Sequence, residues 1–266
     1  MSEILRLERD GHVGVATLNR PDKLNALSGE LSADLLALCA EVNEDDGIWA
    51  LVITGAGAGF CSGVDLRGGG RQRVGLSEQT HTDRLDELGW VGRQASAVYG
   101  IAKPTLAAVN GVAAGAGMSL ALACDLRTGD PRSRFRTVFA ERSLSPDSGM
   151  SYFLTRIVGY ARAADLVFTS RDVGAEEAYR MGLLDRLAEG EGALDAAMEL
   201  AGSIVALPPI AIRSAKRVLQ HNVDVALHEA LLYETAGLGY ARRAPNDQAE
   251  SIASFRERRP ARFTGT

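Results

Sequence analysis

The stretch KPTLAAVNGVAAGAGMSLALACDLR, residues 103–127, decides how the rest of the chain is read. From Pro104 to Cys124 it carries no charge, which invites comparison with a membrane span. Yet Asn110, Gly111, Gly115 and Gly117 interrupt it, and alanine supplies much of its apolar character. It therefore reads as a strand over 104–111, a tight turn and a buried helix. Gly115, Ala116 and Gly117 lead into that helix, whose first amides lack intrahelical partners and point outward. A second segment, LVITGAGAGFCSGVDL (51–66), follows the same plan, with Ser62 and Gly63 where the strand opens into a turn. Two such turns side by side can aim two backbone N–H groups at one oxygen, which is the design of an oxyanion hole. Glycine turns after strands also serve as plain connectors. Neither turn offers G-x-G-x-x-G with a following acidic residue, which demotes dinucleotide binding, and neither ends in Gly-Lys-Ser/Thr, so a P-loop is absent.

Outward from these turns the chain alternates. Residues 4–19, ILRLERDGHVGVATLN, read as two strands joined by Asp10-Gly11, a hairpin dipeptide. From Ser28 to Gly47, apolar Leu31, Leu35, Leu38 and Val42 recur at helical spacing between a serine start and a glycine stop. IWALVITG (48–55) is a continuous apolar run of the kind that forms a strand covered on both faces. Strands alternating with helices up to about residue 130 argue for an α/β core. Beyond Asp147 the patterns are helical, which suggests a core domain over 1–190 and a C-terminal helical region over 191–266. The polar, glycine-rich stretch 66–83 reads as a mobile loop.

Composition narrows the function classes. The 266 residues are 46% hydrophobic and 24% charged, with a net charge of -5. This gives no electrostatic reason to expect nucleic acid or an anionic membrane as partner. Cys39, Cys61 and Cys124 are widely spaced and show no metal-ligand pattern. A reducing, cytoplasmic location is expected, and the charged N-terminus lacks the apolar run of a signal peptide.

Several long motifs appear in a fixed order: VATLNRPDKLNALS near the start, GFCSGVDL, the 103–127 stretch, SPDSGMSYFLTRIVGYARA, AEEAYRMGLLDRL, and SIASFRERRPARFTG at the end. Together they resemble the crotonase (enoyl-CoA hydratase/isomerase) superfamily over essentially the whole chain. The resemblance implies a spiral of ββα units with a C-terminal helical trimerisation region, assembling as a trimer or a dimer of trimers. It implies an acyl-CoA thioester as substrate, with coenzyme A entering only as part of it and no metal. The thioester oxygen would be held by the backbone N–H groups of Ser62 and Ala116, with Gly115 beside them. The CoA moiety would lie along Lys23, Asn25, Ala26 and Leu27 and along Phe60, Ser62, Gly63, Val64, Asp65 and Leu66. Two preorganised donors stabilise an enolate by about 3–4 kcal/mol each.

The chain departs from the hydratase pattern at the chemistry. Hydratases of this family carry two glutamates, and the matching positions are Ser119 and Phe139. Neither is an acid or base at neutral pH. Asp147, in SPDSGM, matches a carboxylate that family members use to shift a double bond. One carboxylate suffices for that, removing a proton from one carbon and returning it to another. A related member uses an aspartate in this neighbourhood as a nucleophile on a chlorinated aromatic thioester. The plain alternative is that Asp147 caps the following helix. Met150 stands where the motif usually has glycine. Glu141 is the nearest spare acid and the second candidate. Ser119 as a nucleophile would need a histidine base, and His12, His81, His221 and His228 lie in a turn, a loop and late helices. Cys61 reads as a small buried residue, and Asp65 and Asp125 as turn and cap residues. Asp83, Asp86 and Glu87 read as a solvated face, while Arg256, Arg258 and Arg259 read as surface charges able to meet a phosphate. Double-bond isomerisation is the leading expectation. Hydration by a non-standard acid/base and silent binding of a CoA thioester are the alternatives.

Overall fold

The computed structural model describes residues 3–66 and 80–266. Most of the loop expected at 66–83 lies outside the described residues, as does the Asp83 side chain. The chain runs β1 (Leu5–Asp10), β2 (Val13–Leu18), α1 (Gly29–Glu44), β3 (Ala50–Gly55), β4 (Gly59–Cys61), α2 (His81–Arg84), α3 (Gly89–Tyr99), β5 (Thr105–Val109), β6 (Val112–Ala114), α4 (Ala116–Ala123), β7 (Leu126–Gly129), β8 (Arg134–Arg136), α5 (Met150–Val158), α6 (Tyr160–Thr169), β9 (Val173–Gly174), α7 (Ala175–Met181), β10 (Arg186–Leu187), α8 (Ala193–Val205), α9 (Pro209–Asn222), α10 (Leu227–Ala241) and α11 (Pro245–Glu257).

The single strand expected at 104–111 is broken at Asn110-Gly111, and its two halves enter different sheets. Thr105–Val109 joins a six-stranded sheet of order β1-β2-β3-β5-β7-β10, and Val112–Ala114 joins a four-stranded sheet of order β4-β6-β8-β9. β3/β4 and β7/β8 divide in the same way. Each pair is one turn of a ββα spiral, and successive turns stack in parallel. The hairpin expected at Asp10-Gly11 is present as the antiparallel β1–β2 pair.

Apolar runs in the large sheet are continuous because both faces are covered. On β3 and β5, Leu51, Ile53, Ala107 and Val109 face the main core together with α1 residues Leu31, Leu35, Leu38 and Val42. Ala50, Val52, Leu106 and Ala108 alternate to the other face, where Ala197 and Ala201 of α8 cover them. Each such fully buried leucine or isoleucine contributes about 1.5–3 kcal/mol. The Ser28 side chain caps α1 by accepting from the Leu31 N–H at 3.2 Å. The helix ends at Glu44, ahead of the expected stop at Gly47.

The expected boundary at residue 190 places α8 in the helical appendage, whereas α8 packs as a layer of the core. Among the described residues, α9, α10 and α11 contribute nothing to either core cluster. α9 is tied back by Lys216, whose Nζ donates to Asp125 Oδ2 (2.7 Å) and to the Lys103 carbonyl (2.9 Å). Among the described residues no single helix is long and apolar enough to cross a membrane, and the 103–127 stretch is divided among two sheets and α4.

Candidate active site

The fold sets the two glycine turns side by side. β4 and β6 are parallel neighbours, and each leads into one turn at the same end of the small sheet. Close approach depends on two glycines. Gly63 sits at φ +93, and a Cβ there would lie 2.8 Å from the Ala114 carbonyl and 3.6 Å from the Ala116 nitrogen. A Cβ on Gly117 would lie 2.1 Å from the Cys61 carbonyl oxygen, so α4 can pack against β4 only without one.

Backbone hydrogen bonding settles which amides are available. The Ser62 N–H donates to the Leu24 carbonyl at 2.9 Å, so the amide expected as an oxyanion donor is already engaged. The next residues form a short parallel bridge: the Leu27 N–H donates to Gly63 O (2.8 Å) and the Asp65 N–H to Leu27 O (3.0 Å). Val64 lies between them with its own N–H off that ladder, and it has no hydrogen-bond partner among the described residues. The Ala116 N–H, at the first position of α4, is likewise without a partner, as geometry requires at a helix start. The free pair is thus Val64 and Ala116 rather than Ser62 and Ala116.

These amides line a cavity of about 100 Å³, with Gly63 and Gly115 on the same wall. Its other wall comes from residues 138–147, including Phe139, Arg142, Leu144 and Asp147. That wall is backbone of unusual shape: Val138 (φ 54), Ser143 (φ 54) and Ser148 (φ 53) are all left-handed without being glycine. Non-glycine residues in this region, a β-branched one above all, cluster where surrounding structure imposes a shape. A larger cavity, about 480 Å³, lies beside Ile101 and Ala102 under α9 and α10. It holds neither glycine turn nor carboxylate, so its size does not make it the site.

Asp147 does not cap a helix with its side chain. The N-cap of α5 is Gly149, at φ 78, and Asp147 contributes only its carbonyl, which accepts from the Met150 N–H at 2.8 Å. The carboxylate instead accepts from Ser148 Oγ at 2.8 Å and opens to the cavity. Desolvation by the surrounding protein raises its pKa above the ordinary 3.8, and the Ser148 hydroxyl offsets part of that. Ser119 is buried, with Oγ donating to the Asp147 carbonyl at 3.4 Å and no hydrogen bond to a histidine among the described residues. Phe139 is buried against the cavity. Glu141, the second candidate acid, turns away: its Oε1 accepts from Arg136 at 2.6 Å, and it is not part of the cavity wall.

Several residues expected along the CoA moiety have structural duties. Asn25 is fully buried, its amide donating to the Ala56 (2.9 Å) and Gly59 (2.7 Å) carbonyls while its oxygen accepts from the Arg20 N–H (2.8 Å). Asp65 is buried in an ion pair with Arg20 at 2.8 Å, and Arg20 also donates to the Ala26 carbonyl. Phe60 and Leu27 are core side chains. Lys23 is exposed, and its carbonyl accepts from Ser62 Oγ at 3.2 Å. Leu66 is exposed at the cavity. Val138, Arg142 and Leu144 were not singled out from sequence, because nothing in their local pattern marks which loop residues turn inward. Cys39, Cys61 and Cys124 are buried free thiols that burial pushes up to about 12, which disfavours the reactive thiolate.

The enoyl-CoA hydratase/isomerase family model matches residues 8–266. The chain belongs to that family, within the crotonase superfamily. It is 34% identical to the Mycobacterium tuberculosis protein named "Probable enoyl-CoA hydratase echA8" over 264 residues, covering 98% of each chain. It is 30% identical to the short-chain-enoyl-CoA hydratase of Clostridium acetobutylicum, covering 95% of this chain and 94% of that one. The crystal structure of the Bacillus anthracis enoyl-CoA hydratase superposes with a TM-score of 0.89 at 27% identity, covering 99% of this chain and 100% of that one. The crotonase fold expected from the motifs is the fold found, and family membership makes the chain an acyl-CoA enzyme.

Proposed function

We propose that this crotonase enolises an acyl-CoA thioester and shifts a double bond along its acyl chain. The observation that carries the reading is one cavity joining two unpartnered amides, Val64 and Ala116, to one carboxylate, Asp147. With the thioester oxygen between the amides, the Asp147 carboxylate takes a proton from the acyl chain. The C–H electron pair moves into the carbonyl, and the amides stabilise the oxyanion. The protonated Asp147 then delivers the proton to a different carbon, the electron pair returns from oxygen, and the double bond has moved. Its raised pKa suits both steps, since a base that is too weak gains no proton and one that is too strong does not return it.

Hydration of a 2-enoyl-CoA is the second reading, favoured by the names of the relatives. It requires activation of water beside the oxyanion hole, and Asp147 is the only carboxylate on the described cavity wall. The experiment is incubation with 3-enoyl-CoA and 2-enoyl-CoA in deuterated water. Isomerisation and proton exchange are expected to fall about 10²–10⁴-fold in Asp147→Asn and to persist in Ser119→Ala. Equal rates in the two variants, or water addition that survives Asp147→Asn, would sink the isomerase reading. Binding with no exchange at all would leave a silent thioester-binding protein.

A further inference from the structure

Within the cavity Arg142 has a placement that double-bond chemistry does not need. It stands on a single helical turn whose backbone is fixed by three hydrogen bonds, Arg142 N–H to Phe139 O (2.9 Å), Ser143 N–H to Ala140 O (3.1 Å) and Leu144 N–H to Phe139 O (3.0 Å). The arginines on either side of it in the sequence are engaged, Arg136 with Glu141 and Asp172, Arg156 with Asp224. The Arg142 guanidinium has no hydrogen-bond or ion-pair partner among the described residues. Asp147 lines the same cavity, yet the two are not bonded to each other, and among the described residues the carboxylate has only Ser148 as a side-chain partner. Apart from these two charges the wall is apolar side chain, Val64, Leu66, Val138, Phe139 and Leu144, and small turn residues.

We infer that the acyl group of the substrate ends in a carboxylate, which Arg142 binds while Val64 and Ala116 hold the thioester at the other end. The inference rests on the reading of this cavity as the acyl site. Arg142 is exposed at the cavity, and its planar guanidinium fork matches a carboxylate in two parallel hydrogen bonds, which a methyl-ended chain cannot supply. The cavity is small, so the substrate class is a short dicarboxylic acyl-CoA.

The test uses calorimetric titration of the full-length protein with glutaryl-CoA and pentanoyl-CoA, which share a five-carbon acyl chain and differ at its end. The wild type is expected to hold glutaryl-CoA about ten-fold or more tighter. Arg142→Gln should abolish that preference, and Arg142→Lys, which keeps the charge without the fork, should retain part of it. Equal affinity for the two thioesters, or a preference that survives Arg142→Gln, overturns the inference. Exchange of α-protons with deuterated water, read on the same two thioesters, separates this from the enolisation reading. Exchange that depends on Asp147 without any carboxylate preference refutes the role of Arg142 alone. A preference that depends on Arg142 without exchange upholds Arg142 and refutes enolisation.

Discussion

Asp147 is exposed at the cavity, yet desolvation by the protein around it raises its pKa, and both its chemistry and its cost follow. A folded-state pKa above the unfolded one means that the folded protein binds the proton more tightly. The stability this confers is present below the unfolded pKa and is lost as pH rises through the folded value. At neutral pH the ionised carboxylate is therefore a burden. Urea denaturation should find Asp147→Asn more stable than wild type at pH 7, with the difference vanishing toward pH 3. For catalysis the same ionisation is required, so the acid limb of kcat/KM for proton exchange should lie above the usual aspartate range near 3.8. A limb at or below that value would show that the carboxyl is not the base. Asp147 was legible as a candidate because its motif placed it before a helix. Its freedom from capping was not, because that depends on Gly149 taking the N-cap.

At the level of elements, the site is the meeting of two parallel strands that each end in a glycine turn, and the turns are the most legible part of the chain. Their small residues are a local requirement of close backbone approach and so appear in the sequence directly. Which amide is free is a long-range matter: Ser62 and Val64 are told apart only by where Leu24 and Leu27 lie. The same limit explains Phe60 and Asn25, whose motif position suggested ligand contact and whose partners are the core and the strand ends. Gly63→Ala tests the arrangement. Its Cβ would meet the Ala114 carbonyl from a backbone at φ +93, a conformation that costs an alanine about 1–2 kcal/mol before any clash. Proton exchange is expected to fall about 10²-fold or more as the two donors separate, with far-ultraviolet circular dichroism unchanged. Retained exchange would remove the paired-amide account.

For the whole molecule, α9, α10 and α11 leave large apolar side chains in solvent, among them Leu219 (71%), Leu227 (74%), Leu232 (61%) and Phe255 (85%). A monomer gains nothing from that exposure, and contiguous apolar surface on a soluble domain marks an interface. We propose that these helices assemble copies of the chain, as the resemblance implies. Sedimentation velocity should show an oligomer that Leu232→Glu dissociates; an unchanged monomer in both would end the proposal. From sequence the appendage is legible only as helices, since a lone chain does not reveal what covers them. The cavity wall at 138–148 bears on the energetics of the whole fold. Ser143 is exposed and left-handed, so Ser143→Gly would relieve strain and is expected to raise stability by about 0.5–1 kcal/mol net of glycine's entropy. The turn that carries Arg142 would loosen with it, and kcat/KM should drop as Tm climbs. Such a wall is a place where selection for turnover and selection for robustness pull in opposite directions.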